Sequence, residues 1–284
     1  MAATLLDGER LASLRRAELA TRVAALAAEG TTVGLGTILV GDDVPSARYV
    51  ALKHEDCAAV GIVSHHVHLP ADATEDHVLA AVRAFNEDPA VDAFLVQVPL
   101  PPGIDEERVL FAVDPDKDVD GLHPVNLGRL LLGSPQVLPC TPAGIVELLA
   151  TYHVPVEGRH VVVIGRGLTI GRPLSVLLST KRKGCNAAVT VVHSAVDELR
   201  AIVRTGDVVV AAAGRAGLVT PDMIKPGAAV VGAGTTWEGR RLLSDVADEV
   251  AEVAGWITPR LGGVGPMTRA MLLVNAVEAA ERHR

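Results

Sequence analysis

What most restricts the fold of this chain is an alternation. Short runs rich in Val, Ile and Leu, each closed by Gly or Pro, recur along it: VGLGTILVG at 33–41, IVSHHVHL at 62–69 and VDAFLVQVPL at 91–100. The stretches between them, 46–60 and 74–87, are Ala-rich and repeat their apolar residues with helical period. Strands and helices in that rhythm build a β-α-β-α-β unit with a parallel sheet. After a bridge carrying Pro135, Pro139 and Pro142 the rhythm restarts, with HVVVIG at 160–165, AAVTVVH at 187–193, DVVVAAAG at 207–214 and AAVVGAG at 228–234. A chain of 284 residues has room for two domains of ordinary size. The final segment, 266–283, follows a glycine-rich turn and places Met267, Ala270, Met271 and Val274 on one helical stripe. The expected fold class is therefore α/β in two domains. A three-layer α/β domain spans 1–141 and is completed by a C-terminal helix, 266–284, packing back on it. A Rossmann-type nucleotide-binding domain spans 142–265, with a cleft expected between the two.

Composition narrows the partners. With 49% hydrophobic and 21% charged residues the chain reads as globular, neither disordered nor fibrous. Its net charge of −8, with no basic run beyond KRK at 181–183, disfavours nucleic acid or an anionic membrane and favours a small molecule. Cys57, Cys140 and Cys185 are odd in number and widely spaced, which fits a reducing compartment and no cysteine zinc site. The N-terminal stretch mixes both charges through its apolar residues, unlike a signal peptide or a membrane span, so cytoplasmic residence is expected.

DPDKDVDG at 114–121 opens like a calcium loop, with Asp116, Asp118, Asp120 and Gly121 in the right places. Such a loop needs an acidic ligand at its twelfth position, and that position is Leu127. Pro115 and Pro124 also interrupt the flanking helices the motif requires. Two readings remain: a solvated acidic turn, or Asp120 presented to a pocket as an acceptor beside a glycine that lets a ligand approach. No metal site is expected here. His66 and His68 share a strand face, but nothing supplies a third ligand, so both are read as structural.

Tyr49 and Lys53 stand four apart in SARYVALKHEDC, on a helix expected to open near Ser46. Short-chain dehydrogenases carry a Tyr-x-x-x-Lys pair after their nucleotide glycines; here the pair comes long before them, which disfavours that family. The competing reading is a core tyrosine beside an exposed lysine. The nucleotide signal is VVVIGRGLTIGRPLSVLL at 161–178, where Gly165, Gly167 and Gly171 sit between a strand and a helix. That context, more than the spacing, offers backbone N–H groups and a helix N-terminus to a pyrophosphate. The second strand ends in VVHSAV with no carboxylate for ribose hydroxyls; Arg166 and Ser194 suit a ribose phosphate, so NADP is the expected cofactor.

Taken in order, GDDVPSARYVALKHEDCAAVGI, VQVPLP, PDKDVDGLHPVNLGRL, LPCTPAG, VVVIGRGLTIGRP and GGVGPMT resemble the bifunctional methylenetetrahydrofolate dehydrogenase/methenyltetrahydrofolate cyclohydrolases nearly end to end. The resemblance implies oxidation of 5,10-methylenetetrahydrofolate with NADP and hydrolysis of the methenyl product to 10-formyltetrahydrofolate. It implies that Tyr49 stacks on the folate, that Lys53 is the cyclohydrolase residue, that Gln97 holds and tunes it, and that Asp120 binds the pterin. By the same resemblance Val96 to Val98 and Leu261, Gly262, Gly263, Val264 and Gly265 line the folate site. Gly165, Arg166, Gly167 and Ser194 line the nucleotide site, with Thr235 near its nicotinamide end. It further implies a homodimer through the nucleotide domain and a place in one-carbon metabolism and purine biosynthesis.

The chain departs from that pattern in several places. Gly167 stands where serine is frequent, Gly232 where aspartate is usual, Thr235 where an aliphatic residue is usual and Ser244 where glycine is usual. Arg260 and Leu261 replace a short apolar residue and proline. These departures leave the cyclohydrolase residues intact and bear on the hydride step. Other readings stay compatible with the residues: a dehydrogenase of another small substrate, a cyclohydrolase alone, or a non-catalytic folate or nucleotide binder.

Overall fold

The computed structural model describes residues 3–239 and 241–283. The chain runs through β1 (Thr4–Leu5), α1 (Gly8–Ala28), β2 (Gly34–Val40), α2 (Val44–Val60), β3 (Val63–Leu69), α3 (Glu75–Glu87) and β4 (Ala93–Val96). Next come α4 (Glu106–Phe111), α5 (Pro124–Leu131), α6 (Cys140–Thr151), β5 (His160–Ile164), α7 (Gly171–Ser179), β6 (Ala188–Val192), α8 (Leu199–Val203), β7 (Val208–Ala211) and β8 (Ala229–Gly232). It closes with β9 (Thr235–Glu238), β10 (Arg241–Ser244), β11 (Trp256–Ile257) and α9 (Val264–Arg282). No helix among the described residues is long and apolar enough to cross a membrane.

Two compact units emerge, and the first comprises Ser13–Arg129, Pro135–Cys140 and the chain from Arg269 onward. Its sheet is parallel, in the order β3-β2-β4. The central β2 is buried at every position, as a parallel strand covered on both faces must be. Gly36 on β2 makes room for aromatics: a Cβ there would stand 2.7 Å from that of Phe94 and 2.9 Å from the Phe85 ring. Those two rings pack edge to face at 5.4 Å within a core that includes Ile38, Val78, Val82 and Val96. α2 starts at Val44, two residues before the expected Ser46, because Asp43 caps it by accepting the Ser46 N–H at 3.0 Å, with Pro45 in the first turn. α9 buries more than the expected stripe: Leu272, Leu273, Ala276 and Val277 are buried along with Met267, Ala270 and Met271.

The other unit holds the residues up to Ala12, Leu130–Ser134 and Thr141–Thr268. Its sheet has the order β1-β11-β8-β7-β5-β6, with every pairing parallel. β5 has β6 on one side and β7 on the other, which creates a topological switch point at its C-terminal end. The strand runs VVVI and VVVA are wholly buried, as both faces of a doubly covered sheet require. One expected boundary needs correction. β1 pairs with β11, so residues 3–12 group with the nucleotide unit, as do Leu130–Ser134 and 266–268, and not with a domain of 1–141 completed by 266–284. Strands of two residues leave no periodic trace in a sequence, which hid β1 and β11 alike. The antiparallel β9–β10 hairpin was likewise not expected.

Candidate active site

α2 carries Lys53 into the interior of the first unit, leaving it only 4% exposed. Its Nζ lies 4.9 Å from the centroid of the Tyr49 ring, one helical turn back, and donates to Gln97 Oε1 at 3.1 Å. Gln97 follows β4 directly. Its Nε2 donates to the Val98 carbonyl at 2.7 Å, which commits the amide end and leaves the carbonyl end to face the lysine. Burial lowers the Lys53 pKa from its ordinary value, against an opposing pull from the Asp120 carboxylate. A glutamine is suited to this partnership. It fixes the amine by accepting a hydrogen bond, yet it does not stabilise the ammonium as a carboxylate in its place would.

The three aspartates of the acidic turn separate into distinct duties. Asp118 is buried and accepts from the Gly121 N–H at 3.0 Å, the His123 N–H at 2.8 Å and Asn126 Nδ2 at 2.9 Å, so it shapes the turn. Asp116 accepts from Gln136 Nε2 at 3.0 Å at the surface. Asp120 is half-buried, and its carboxyl is pushed above the usual range by burial, Lys53 pulling it down and Asp118 pushing it further up. The expectation that Gly121 clears a path for a ligand is not met. With φ at +71°, it faces the chain itself, and a Cβ would lie 2.7 Å from the Leu138 carbonyl carbon and the Pro139 nitrogen. Among the described residues no group of His, Cys, Asp and Glu is arranged to hold a metal.

Several supporting residues escaped sequence reasoning. Asn275 of α9 donates through Nδ2 to the carbonyls of Val119 at 2.8 Å and Leu138 at 3.0 Å, clamping both sides of Asp120's loop. Cys140 is buried beside the same loop and donates through Sγ to the Val119 carbonyl at 3.3 Å. Burial and then the Asp120 charge raise its thiol well above the ordinary range. Arg269 of α9 binds Asp56 at 2.6 Å, a turn beyond Lys53 on α2, and so ties α9 to the helix that carries the lysine. Burial and then Asp120 also raise the Tyr49 phenol, which is held neutral. Nothing in the sequence spacing linked residues 56 and 269. His66 and His54 both bond to the buried Thr37 hydroxyl, at 2.8 and 2.9 Å, and His68 meets the Gly41 carbonyl at 3.0 Å.

In the nucleotide unit, Gly165 directly follows β5 with φ at +119°, and any Cβ on it would overlap the Ala212 carbonyl oxygen. A Cβ on Gly171 would likewise overlap the Gly165 carbonyl oxygen, whereas Gly167 looks onto open space. The turn between them, Arg166 to Thr169, is exposed, and α7 starts without a side-chain cap at Ile170. Such a cradle of backbone and an uncapped helix start fits a pyrophosphate. Ser194, exposed just past β6, stands next to the turn in the sheet, since Ile164 pairs with Val192. Thr235 is exposed at the start of β9, following the end of β8. Leu261 is exposed, and the Gly262 carbonyl accepts the Glu9 N–H at 2.8 Å, ahead of Gly263, Val264 and Gly265 at the start of α9. Two departures from the family pattern meet in space, because a Cβ on Gly232 would stand 2.7 Å from Ser244 Oγ.

The fold and these two centres define a class: a nucleotide-dependent α/β enzyme that also carries acid–base machinery. Residues 6–120 match the catalytic domain, and residues 139–284 the NAD(P)-binding domain, of the tetrahydrofolate dehydrogenase/cyclohydrolase family. The bifunctional protein FolD of Syntrophotalea carbinolica is 58% identical over 281 residues, covering 99% of this chain and 97% of that protein. The FolD crystal structure from Campylobacter jejuni superposes with a TM-score of 0.95 at 39% identity and covers both chains fully. The Trypanosoma brucei enzyme, complexed with NADP cofactor and an inhibitor, gives 0.94 at 40% identity, over 100% of this chain and 99% of that one. The chain belongs to the tetrahydrofolate dehydrogenase/cyclohydrolase family.

Proposed function

We propose that Lys53 is the acid–base group of the cyclohydrolase and that the glycine turn after β5 seats NADP for the dehydrogenase. As a member of its family the chain is an NADP-dependent methylenetetrahydrofolate dehydrogenase and methenyltetrahydrofolate cyclohydrolase. The observation that carries the assignment is Lys53 itself, an amine buried to 4% exposure whose Nζ donates to a neutral glutamine. Desolvation favours the free amine, and a free amine can take a proton. Water adds to the methenyl carbon while Lys53 Nζ accepts its proton. The bond from that carbon to the ring nitrogen then breaks, the nitrogen taking up the hydroxyl proton as the formyl C=O forms, and Lys53 releases its proton to solvent. The half-buried Asp120 is assigned to the N–H donors on the pterin edge, which a carboxylate accepts as a pair. Tyr49 would stack on the ring, and the backbone of Val96 to Val98 and of Leu261 to Gly265 would line the site.

When bound, NADP would supply the acceptor for a hydride from the methylene carbon, so the chain's part in that half is position instead of proton transfer. Gly165, Arg166, Gly167 and Ser194 are assigned to its phosphates and Thr235 to its nicotinamide end. A homodimer is part of the same proposal, supported by β6 lying at a sheet edge with Val191 38% exposed. Cytoplasmic residence is supported by three free, buried cysteines.

The test follows methenyl absorbance and nucleotide reduction together in purified protein, with NADP and with NAD, for the wild type and for Lys53→Met. Methenyl hydrolysis by the variant should fall about 10²- to 10⁴-fold, the range for a lost general acid–base. An unchanged hydrolysis rate would remove Lys53 from the mechanism. Hydrolysis without hydride turnover in the wild type would leave a cyclohydrolase alone.

A further inference from the structure

Asp245 is fully buried, and its carboxylate gathers successive backbone donors of one loop: the N–H groups of Ala213 at 2.6 Å, Gly214 at 3.0 Å and Arg215 at 2.7 Å. Successive N–H groups converging in this way form a concavity that ordinarily takes an external anion. Here the chain fills it with its own side chain, which compensates a carboxylate that would be costly to bury alone.

The loop so held follows β7 at the switch point. Its first residue, Ala212, presents the carbonyl oxygen against which Gly165 must be glycine, so a movement of 212–215 moves the floor of the glycine turn. The same carboxylate governs the end of β8. A Cβ on Gly234 would overlap Asp245 Oδ2, and the N–H groups of Ala233 and Gly234 both donate to the Ala211 carbonyl at 2.8 Å. A second tie runs from the hairpin, where Thr236 Oγ1 donates to the Gly214 carbonyl at 2.8 Å. One side chain therefore fixes the C-terminal ends of β7 and β8 together. In a dinucleotide laid across a switch point with its pyrophosphate on the β5 turn, one half reaches over β6 and the other over β7 and β8.

We propose that Asp245 is a positioning residue for the nicotinamide half of NADP, acting through the 213–215 loop without touching the nucleotide. The inference rests on the reading that the glycine turn seats NADP. Asp245→Asn keeps the volume but turns an N–H group towards backbone donors, so the loop should lose its fixed form while the Lys53 centre is untouched. The full chain is assayed for its KM for NADP and its kcat with saturating methylenetetrahydrofolate, and for methenyl hydrolysis without nucleotide. The KM for NADP should rise about tenfold or more while kcat at saturation changes less than about threefold, a loss of uniform binding. Methenyl hydrolysis should stay within about twofold of the wild type.

An unchanged KM for NADP overturns the proposal. So does a parallel fall in both activities, which would make Asp245 a support of the whole fold. If the asparagine variant does not accumulate folded, Thr236→Val tests the same loop from its other tie. Its KM for NADP should rise about two- to fivefold, the scale of one lost hydrogen bond, and no rise overturns the proposal. A wild type that hydrolyses the methenyl compound but never reduces NADP removes the underlying reading, and this one with it.

Discussion

The two units solve different chemical problems with different materials. Around Lys53 the site is made of side chains: an amine, an amide, a carboxyl and a phenol, several with proton affinities displaced by burial. Around Gly165 it is made of backbone, shaped by glycines where a side chain would collide and by Asp245 holding N–H groups in place. Proton transfer by a lysine at neutral pH needs its pKa lowered, which desolvation, neighbouring charge and hydrogen bonding can do. Hydride transfer to a cofactor needs geometry, which main chain supplies at small distances from its ligand. Tolerance to substitution should differ accordingly.

On the nucleotide side the largest effect should come from adding one methyl group to the backbone site. Gly165→Ala places a Cβ on the Ala212 carbonyl in a left-handed conformation, so NADP reduction should fall by 100-fold or more, on the order expected when a nucleotide turn is displaced. Methenyl hydrolysis by the same variant should persist, and its loss would show that the two units do not respond separately. Next in size is the meeting of Gly232 and Ser244. Gly232→Ala crowds Ser244 Oγ, which accepts the Val246 N–H at 3.1 Å, and should lower stability by roughly 1–3 kcal/mol, the usual cost of overpacking. Adding Ser244→Gly should recover about 0.5–3 kcal/mol of that in a double-mutant cycle by thermal unfolding. Additive effects would mean that the two departures are independent.

The smallest effect concerns pH in the folate unit. Burial and then neighbouring cationic charge lower the pKa values of His54 and His66 from the ordinary 6.5, and both rings bond to the single Thr37 hydroxyl. A depressed folded pKa means that the unfolded chain takes up protons first as pH falls. Stability should therefore be full above about pH 6.5 and decline below it towards the folded pKa values. His66→Asn should flatten that decline in melting curves taken between pH 7.5 and 5; an unaltered slope would assign it to other groups.

Much of this was legible in the primary structure. Lys53 sits four residues from Tyr49 on an Ala-rich helix, so their shared face followed from helical period, and the strand-glycine-helix order around Gly165 followed from local pattern. The acidic turn could be cleared of calcium by counting to Leu127. The sequence and the resemblance already singled out Asp120 among three aspartates at alternate positions, but the structural duties of Asp118 and Asp116 and the nearness of the Asp120 charge to the lysine needed the fold. Asn275 and Arg269 reach back to residues 119 and 56, contacts that no local period encodes. Nor does any local pattern single out Asp245, whose donors come from residues 213–215.

The sequence by itself determined the alternation of strands and helices, the strand-glycine-helix order of the nucleotide turn, and the family, because these depend on local backbone preference and on patterns read over a few residues. Tertiary structure decided that β1 completes the sheet of the nucleotide unit, that Lys53 is buried with its pKa lowered from the ordinary value, and that the Asp120 charge acts on it. Those outcomes depend on burial and on charges brought close from distant parts of the chain, and both come into existence only when the chain folds.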